Sequence, residues 1–329
     1  MGPYVLLTPL DRSGAGGGTT APAVRHIART PEGDRTVLLS APLPGVDPAR
    51  FMAEADASRY LVGNWVLPAV EFAGPGERAW HAAPYLPVLP LPTALAVHGG
   101  PLPERTVRAL GVALAETLSV IHGQHLVHAG VSPAAVLIAH DGPRLGSFGA
   151  VRAAAPDGIV RGCGLPGVDA SALAPEQAAG GMPRPLGDVY GLGATLAYAA
   201  TGSTMPERDE LPPWLRSVVG ACLSRDPAHR PQLAQMLAQL GSDVGPDSGP
   251  GGPGGPAVQA QGFGAPDRAA ALLGPGWLPA RIAAALAHQA ASVLAAETAV
   301  EPQPTPPTPQ ASAHAVHSGP RTPHTPHMY

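Results

Sequence analysis

The spacing of apolar residues changes about a third of the way along this 329-residue chain, and that change constrains the fold most. Before residue 73, apolar residues form short runs at 4–7, 36–39 and 66–70, separated by Gly, Pro and Asp turns, as in strands. From Thr106 they recur every three or four residues, which is typical of a buried helix that ends near residue 123. The apolar positions of that helix are Val107, Leu110, Leu114, Leu118 and Ile121. The sequence therefore predicts a small β-rich unit followed by a helical one.

Capping and composition predict further helices on both sides of this boundary. Asp47 and Pro48 open a helix-forming segment, 49–61, for which Asp47 is the N-cap. Three helical stretches follow in the second unit, at 188–200, 213–223 and 232–240. We therefore expect one helix among the strands and several after them.

The pattern is lost after residue 240 and returns once more. Residues 241–265, which include PGGPGG, cannot bury enough apolar surface to offset their ordering entropy, so we expect a flexible linker. Helical character returns at 277–300, with Pro279 in the first turn and one apolar face. That face consists of Leu278, Ile282, Leu286, Ala290 and Val293. It fits docking onto the main domain, and partner binding or self-association is the alternative. Residues 301–329 are rich in Pro, Thr and His, which is typical of a disordered tail.

Composition narrows the classes of function. A formal net charge of −4 gives no signal for attraction to nucleic acid or membranes, so neither is an expected partner. Two cysteines, Cys163 and Cys222, are too few for a disulfide framework or a zinc site. No apolar run approaches the roughly 18 residues that span a bilayer, and the N-terminus lacks a secretory signal pattern. The sequence therefore predicts a soluble cytoplasmic protein without a membrane span.

One segment carries recognisable motifs. Residues 126–149 read LVHAGVSPAAVLIAHDGPRLGSFG, which resembles the catalytic and metal loops of serine/threonine protein kinases, with their H-R-D-x-K-P-x-N and D-F-G patterns. An A-P-E sequence, a helix aspartate and a late arginine follow in the order of the family. The matching residues are His128, Phe148, Gly149, Glu176, Asp188 and Arg230. The chain is thus similar to bacterial serine/threonine protein kinases of the eukaryotic type, strongly after residue 101 and weakly before it.

The resemblance implies an α+β, protein-kinase-like bilobal fold with a disordered C-terminal extension. The small β-rich N-lobe would cover residues 1–86 and the larger helical C-lobe residues 87–240. The linker 241–265, an amphipathic helix at 266–300 and the tail 301–329 would follow.

The matching residues imply structural roles. In the family, the equivalents of His128 and Phe148 belong to a hydrophobic stack, and the equivalent of Asp188 anchors the backbone of the catalytic loop. Glu176 and Arg230 would form a partly buried ion pair that joins the activation segment to the C-terminal helices. The resemblance therefore implies that the frame of the domain is retained.

The residues that carry kinase chemistry depart from the pattern. Gly130 replaces the catalytic-loop aspartate, so no carboxylate there can accept a substrate proton. Ser132 replaces the catalytic-loop lysine. Ala135 and Ser147 replace the asparagine and the aspartate that hold magnesium, for which a neutral hydroxyl is a poor substitute. The resemblance thus implies a site with no intact catalytic or metal-binding residue.

The first lobe has also lost its phosphate-binding lysine. The chain contains no lysine, since all 20 of its Lys and Arg residues are arginine. Ser40 stands at the end of the strand where the family has lysine, and relocation of a lysine from another strand is excluded. Glu54, in the lobe helix, matches the usual partner of that lysine. It would therefore be a carboxylate without a cation.

Two further features bear on nucleotide binding. Gly14, Gly16 and Gly18 form a cluster whose backbone amides would suit phosphates, although the pattern is interrupted and plain loop flexibility is the alternative. Tyr85 lies at the expected hinge after Pro84, which has no N–H to offer an adenine ring. These are the only candidates for cofactor binding that the sequence provides.

Together these changes predict a pseudokinase that acts as a scaffold or regulator by binding a protein partner, either an active kinase or a kinase substrate. Losing the base, the metal ligands and the lysines together would leave little catalysis. We expect no resident cofactor and no magnesium. Two alternatives stay open: a serine/threonine protein kinase with residual ATP-dependent activity, and a nucleotide-binding sensor.

Overall fold

A computed structural model of the chain describes residues 2–11, 21–155, 164–241 and 268–298. The predicted linker 241–265 lies outside the described residues except for its first residue.

Other sequence predictions also fall outside the described part of the chain. The glycine cluster at Gly14, Gly16 and Gly18 is one, and the loop cysteine Cys163 is another. The tail 301–329 is the third.

Five short strands form the antiparallel sheet of the N-terminal lobe, in the order β1-β2-β3-β5-β4. The first three pair in succession, and β5 then lies between β3 and β4. The strands are β1 (Val5–Pro9), β2 (Val24–Arg29), β3 (Thr36–Ala41), β4 (Glu71–Phe72) and β5 (His81–Pro84). The predicted β-rich unit is confirmed, with the apolar runs at 4–7 and 36–39 overlapping β1 and β3.

Helix α1 (Pro48–Ser58) follows β3 and begins as the sequence predicts. The Asp47 carboxylate accepts a hydrogen bond of 2.8 Å from the Arg50 amide and so caps the first turn. Pro48 is tolerated there because the first turn does not need its missing N–H. The α-helix ends at Ser58 rather than at residue 61, because the amides of Tyr60 and Leu61 bond to carbonyls three residues back instead of four, at 3.3 and 3.1 Å.

The prediction of a strand at 66–70 is wrong. The Leu67 amide donates to the carbonyl of Leu145 in the C-terminal lobe, not to a neighbouring strand of the first sheet. Pro68 has no N–H, so it interrupts any ladder in the middle of the run. Strand β4 begins only at Glu71.

The C-terminal lobe is mainly helical, with a small three-stranded sheet in the order β6-β7-β8. The strands of this sheet are β6 (Leu89–Pro90), β7 (Val136–Ala139) and β8 (Gly142–Leu145). The helices are α2 (Leu91–His98), α3 (Glu104–Gly123), α4 (Ala150–Ala154), α5 (Pro175–Ala178), α6 (Pro185–Thr201), α7 (Pro213–Cys222), α8 (Leu233–Gly241), α9 (Arg268–Leu272) and α10 (Ala280–Thr298). The three helical stretches predicted for this unit are confirmed as α6, α7 and α8.

Helix α3 is the centre of the core. The five apolar positions predicted from the spacing, from Val107 to Ile121, are all fully buried. The helix packs against α6, α8 and α9, and Gly111 lets α8 approach closely: a Cβ there would lie 2.8 Å from Cδ1 of Leu240. Burial of each large apolar side chain stabilises the fold by about 1.5–3 kcal/mol. The predicted helical stripe is thus the main core contact of the lobe.

Helices α9 and α10 dock onto this body. Helix α9 packs on α3, and α10 packs on α2. Ile282, Leu286 and Val293 are 0%, 3% and 4% exposed, so the predicted apolar face of α10 is buried within the chain. Docking onto the main domain is therefore the arrangement of this helix. None of the described helices is both long and apolar enough to cross a membrane.

Candidate functional site

A narrow cleft separates the two lobes. Its walls include Leu38 and Ala83 from β3 and β5 and Leu137 from β7, and these side chains form one hydrophobic cluster with Leu10. The free volume of the cleft is about 70 Å³, which is small beside the roughly 300–1,000 Å³ of typical ligand pockets. The described walls of the cleft are therefore largely packed against each other.

Gly130 lies in a loop that leaves no room for a side chain at this position. A Cβ on Gly130 would overlap the carbonyl oxygen of Ser147 and lie 3.2 Å from the Cβ of Ala150. Glycine is therefore required by the packing of the loop. The structure lacks both the carboxylate that the resemblance would place at residue 130 and the space to hold one.

Ser132 precedes a short 3-10 turn, and Ala135 is the last residue of that turn. Ala135 is fully buried, and its carbonyl accepts a hydrogen bond of 3.0 Å from the Gly146 amide. Ser132 is 8% exposed, and its carbonyl accepts from the Ala135 amide at 3.1 Å. Neither side chain supplies an anionic oxygen, which Mg²⁺ prefers as a ligand. These positions do not fit a magnesium ion.

Ser147 and Gly149 form a tight turn in which both residues have left-handed backbone, with φ of 64° and 73°. Gly149 has a second constraint, because a Cβ there would overlap the Glu54 carboxylate. Its amide donates to the His128 carbonyl at 2.8 Å. The turn thus brings helix α1 against the loop that contains His128, and only glycine permits that approach.

The prediction that Glu54 lacks a cation is wrong. Its buried carboxylate accepts two hydrogen bonds from Arg152, at 2.8 Å from Nε and 2.5 Å from Nη2. Arg50, one turn earlier on α1, places its Nε 2.9 Å from the same carboxylate. A guanidinium that binds both carboxylate oxygens compensates the charge and fixes the orientation of the group. Two arginines therefore do what the absent lysine would have done for Glu54.

Arg152 also connects α4 to the rest of the site. Its Nη1 donates to the Val127 carbonyl at 2.9 Å, and its guanidinium lies 4.9 Å from the centroid of the Phe148 ring. Phe148 in turn meets the His128 ring edge-on, with centroids 5.6 Å apart. Sequence reasoning missed Arg152 because it considered only lysine; an arginine shortly after Phe148 is the signal that could have found it.

A second arginine lies in the cleft. Ser40, at the position expected for lysine, pairs across the sheet with Arg25 on β2 and with His81 on β5. Arg25 is 7% exposed, lines the cleft and donates to both carboxylate oxygens of Asp11, at 2.8 and 2.5 Å. A cation thus stands on the strand beside Ser40, and Asp11 neutralises it. The sequence prediction excluded a relocated lysine but did not consider that an arginine, Arg25, could supply a cation here.

Asp188, in the first turn of α6, holds the loop that contains His128. Its carboxylate is 2% exposed and accepts hydrogen bonds of 2.8 Å from the amides of His128 and Ala129. Nε2 of His122 lies 2.9 Å from the same carboxylate, a partner that the sequence did not predict. These bonds fix the backbone of the loop by satisfying its buried amides.

Glu176 and Arg230 form a two-pronged ion pair, with N–O distances of 2.6 and 2.7 Å. Arg230 is 4% exposed and also donates to the carbonyls of Leu186 and Ser224. Burial opposes a charge on Glu176, but the hydrogen bonds from Arg230 leave the pKa of this carboxyl below its ordinary value. The pair joins α5 to the segment that precedes α8.

Sequence and structure comparisons place this arrangement among known proteins. No model of a protein family matches the sequence. The chain is 32% identical over 272 residues to the probable serine/threonine-protein kinase PkwA of Thermomonospora curvata, which covers 76% of this chain and 35% of that protein. It is 28% identical over 262 residues to the serine/threonine-protein kinase AfsK of Streptomyces coelicolor, which covers 73% of this chain and 32% of that protein. The crystal structure of a mutant PknI kinase domain from Mycobacterium tuberculosis matches with a TM-score of 0.55 at 22% identity, over 73% of this chain and 96% of that one.

The chain has a protein-kinase fold. The structural match shows this fold, and the sequence relatives support the family of bacterial serine/threonine protein kinases. The chain spans about a third of the length of the curated relatives PkwA and AfsK.

The activation segment of this kinase fold contributes a carboxylate that sequence reasoning missed. Asp169 is 4% exposed, and its Oδ1 accepts hydrogen bonds from the amide and hydroxyl of Ser171 at 3.0 and 2.5 Å. Its Oδ2 has no hydrogen-bond partner in the described part of the chain. Asp169 lines a cavity of about 20 Å³ with Gly130, Ser132 and Gln177, enough space for one water molecule. No motif marks this residue, since its position depends on the path of the activation segment.

The remaining kinase positions have structural surroundings. Burial lowers the pKa of His128 to about 4, so its ring is neutral near pH 7. Tyr85, the predicted hinge contact for a nucleotide, packs against the cluster of Leu10 and Ile27 and does not line the cleft. Within the described ranges, no three His, Cys, Asp or Glu side chains group together as metal ligands.

Proposed function

We propose that this kinase-fold domain is a pseudokinase, which does not transfer phosphoryl groups and works by binding a protein partner. The observation that carries the proposal is the packing at Gly130, where a side chain would overlap the Ser147 carbonyl. Kinase chemistry needs a carboxylate near the substrate hydroxyl to accept its proton. Gly130 has no carboxylate, and the packing of the loop leaves no space for a side chain at this position.

The residues at the metal-binding positions are also unsuited to the kinase reaction. Ala135 and Ser147 stand where a kinase holds magnesium, and neither is a carboxylate or an amide. Glu54 is the one carboxylate among the described residues that line the cleft, and Arg152 and Arg50 already neutralise it. A magnesium ion there would have to compete with two guanidinium groups for one carboxylate.

The cleft also disfavours a nucleotide. Its described walls enclose a small volume, and Arg25, which is paired with Asp11, is one of the lining residues. Binding ATP would require the lobes to part, which costs free energy. We therefore expect no ATP binding and no dependence on Mg²⁺.

What the domain retains supports a binding role. Asp188, the Glu176–Arg230 pair and the His128–Phe148 contact preserve the frame of the C-lobe without any reaction for it to serve. An active kinase or a kinase substrate is the partner that a kinase-shaped surface would suit. The apolar face of α10 is buried in the domain, so the contact surface for a partner would lie elsewhere.

A thermal-shift series with ATP, with and without Mg²⁺ or Mn²⁺, followed by incubation with radiolabelled ATP, tests this proposal. We expect no shift and no label, with an active serine/threonine kinase as the positive control. A Mg²⁺-dependent rise of several degrees in Tm, or label on the chain, would overturn it. Partner capture should use the chain with and without residues 301–329, because deleting 268–298 would expose buried core.

A residual serine/threonine kinase is the second candidate, and Asp169 is the observation that favours it. Its carboxylate has one oxygen without a partner in the described structure and lies beside the position of the missing base, Gly130. The relatives are also named as serine/threonine kinases. If radiolabel is incorporated, Asp169→Asn should abolish it, whereas the exposed control Asp209→Asn should not. Label that persists in Asp169→Asn would exclude this route.

A further inference from the structure

The segment 268–298 contacts both lobes of the domain and the connection between them. On the C-lobe side, the Trp277 indole donates to the His140 carbonyl at 2.8 Å, and the Thr106 hydroxyl donates to the Trp277 carbonyl at 2.6 Å. Ile282 and Leu286 are buried in the core of the same lobe. The first half of the segment is therefore an integral part of the C-lobe.

The middle of α10 grips the hinge. The Val88 amide donates to Oε1 of Gln289 at 2.8 Å, and Nε2 of Gln289 donates to the Val88 carbonyl at 2.9 Å. Val88 lies between β5 and β6, in the stretch that connects the two lobes. One side chain thus satisfies both backbone groups of a hinge residue, as a neighbouring strand would.

The last turns of α10 reach the N-lobe. Val293 is 4% exposed and belongs to the cluster of Ile27 and Leu38 on the first sheet. Nη1 of Arg29, on β2, donates to the Ala296 carbonyl at 3.3 Å. A guanidinium at the C-terminal end of a helix meets its partial negative charge, which is favourable.

The Arg29 side chain makes no other hydrogen bond to the described residues. It is 4% exposed, and its Nε and Nη2 have no hydrogen-bond partner among the described residues. A buried cation that meets only the end of a helix is costly unless that helix stays in place. The environment of Arg29 therefore depends on α10.

The geometry of α10 suits a rigid connection. A helix of 19 residues is about 28 Å long, close to the width of a small domain. It runs from the C-lobe core past the hinge to β2, with buried contacts at each of the three places. A continuous helix cannot follow independent motion of two bodies to which it is fixed.

We propose that the segment 268–298 is an interlobe strap that fixes the angle between the lobes and holds the cleft closed. The cluster that receives Val293 also contains Leu10, Leu38 and Ala83, which line the cleft. Opening the lobes would pull this cluster away from α10 or draw α10 from the C-lobe. The strap thus couples cleft opening to release of the helix, a hinge closure controlled by the chain's own C-terminal segment. This inference does not depend on whether the domain transfers phosphoryl groups.

The first test changes Gln289 to alanine in the full chain, with the exposed neighbour His288→Ala as the matched control. Hydrogen–deuterium exchange is followed at the hinge. We expect exchange of the Val88 amide to accelerate by about tenfold or more in Gln289→Ala and to stay within about twofold in the control. Equal exchange rates at Val88 in the two variants would overturn the role of α10 at the hinge.

The second test compares two adjacent positions on α10. Val293→Asp places a charge in the N-lobe cluster, whereas Leu294→Asp changes a side chain that is 61% exposed. Interlobe distance is measured by electron spin resonance between labels at Glu32→Cys and Ser217→Cys, with Cys163→Ser in the background. We expect a broader distance distribution for Val293→Asp and an unchanged one for Leu294→Asp.

A milder variant keeps this second test decisive. Val293→Ala removes only part of the contact, so the chain folds even if Val293→Asp does not. A distance distribution in Val293→Ala and Gln289→Ala as narrow as that of the parent would show that the lobes are fixed without α10, and the strap would be rejected. Broadening in both variants supports it.

Discussion

Arg152, on the short helix α4, holds the Glu54 carboxylate of α1 through two hydrogen bonds of 2.8 and 2.5 Å. The same guanidinium donates to the Val127 carbonyl and lies over the Phe148 ring. In an active kinase the corresponding glutamate pairs with the lysine that grips the nucleotide. In this chain the N-lobe helix is held by a residue that lies outside the sheet. The position of α1 therefore depends on an arginine of α4 and not on a lysine of the sheet.

Removing this guanidinium tests how much of the lobe contact it carries. Arg152→Ala leaves a buried carboxylate with Arg50 alone, and we expect it to lower the free energy of unfolding by about 2–3 kcal/mol. The control is Arg59→Ala at the C-terminal end of α1. Arg59 forms an ion pair with Asp56, and both side chains are about half exposed. Its cost should stay below about 1 kcal/mol. Urea unfolding measures both, and equal losses would contradict the role of Arg152 in joining the lobes.

The neutral state of His128 predicts a pH dependence of stability. Its pKa in the folded chain is about 4, below the ordinary value of 6.5, because burial disfavours the charged ring. As pH falls below 6.5 the unfolded chain takes up a proton first, so stability is fully present above 6.5 and is lost towards pH 4. The loss attributable to this one residue is on the order of 3 kcal/mol.

His128→Phe removes the titration while keeping an aromatic ring against Phe148. We expect the slope of unfolding free energy against pH between 6.5 and 4 to flatten in this variant and to persist in the exposed control His288→Phe. Burial also lowers the pKa of His81 to about 4, but that residue is present in both variants. Identical slopes would mean that His128 is not the titrating group.

The Glu176–Arg230 pair predicts a second dependence, at lower pH. The pKa of Glu176 lies below its ordinary value of 4.5 in the folded chain. Its contribution to stability is therefore present above pH 4.5 and is lost as pH falls through the lower folded value. Glu176→Gln should lower stability at pH 7 by about 2 kcal/mol or more, since it strands the buried Arg230.

This difference should shrink as the solution is acidified below pH 4.5. The exposed Glu207→Gln provides the matched control, with little change at either pH. Chemical denaturation at pH 7 and pH 3.5 measures both variants. A Glu176→Gln penalty that is as large at pH 3.5 as at pH 7 would contradict the ionised pair.

The frame of the domain could be predicted from sequence because its signals are local or keep a fixed order. The stripe on α3 marks its own core face, and Asp47 marks the start of α1 by capping it. Asp188 and Arg230 could be found because the motifs around them are short and follow one another as in kinases. The 66–70 run misleads because its apolar residues resemble a strand, while its Leu67 amide bonds to the C-lobe and Pro68 has no amide hydrogen to donate.

The tertiary contacts at the cleft, in the activation segment and at the hinge could not be predicted in the same way. Glu54 and Arg152 are far apart in sequence and meet only through tertiary structure, so no spacing rule connects them. Arg25 escapes notice when a missing lysine is equated with a missing cation. Asp169 depends on the path of the activation segment, and the grip of Gln289 on Val88 depends on where α10 docks. These contacts are set by the packing of whole lobes.

Gly130 gives the sharpest prediction, because it distinguishes the loss of one catalytic residue from the loss of the space that such a residue would occupy. Gly130→Ala should lower the free energy of unfolding by about 2 kcal/mol or more, since its Cβ meets the Ser147 carbonyl. Gly220→Ala on α7 is the control: no atom lies within 4 Å of its Cβ, and we expect a gain of about 0.5–1 kcal/mol.

The same packing predicts that restoring the kinase residues together does not restore kinase activity. The triple variant Gly130→Asp, Ala135→Asn and Ser147→Asp should be less stable than the parent and should incorporate no label from ATP. The loop must first move away from the Ser147 carbonyl. Arg152 also stays bound to Glu54, so its guanidinium is not available to contact a phosphate as the kinase lysine would. A triple variant with parental Tm and a Mg²⁺-dependent thermal shift would show that the site had lost only its residues. Its packing would then be that of a working kinase, and the loop around Gly130 would no longer explain a loss of phosphoryl transfer.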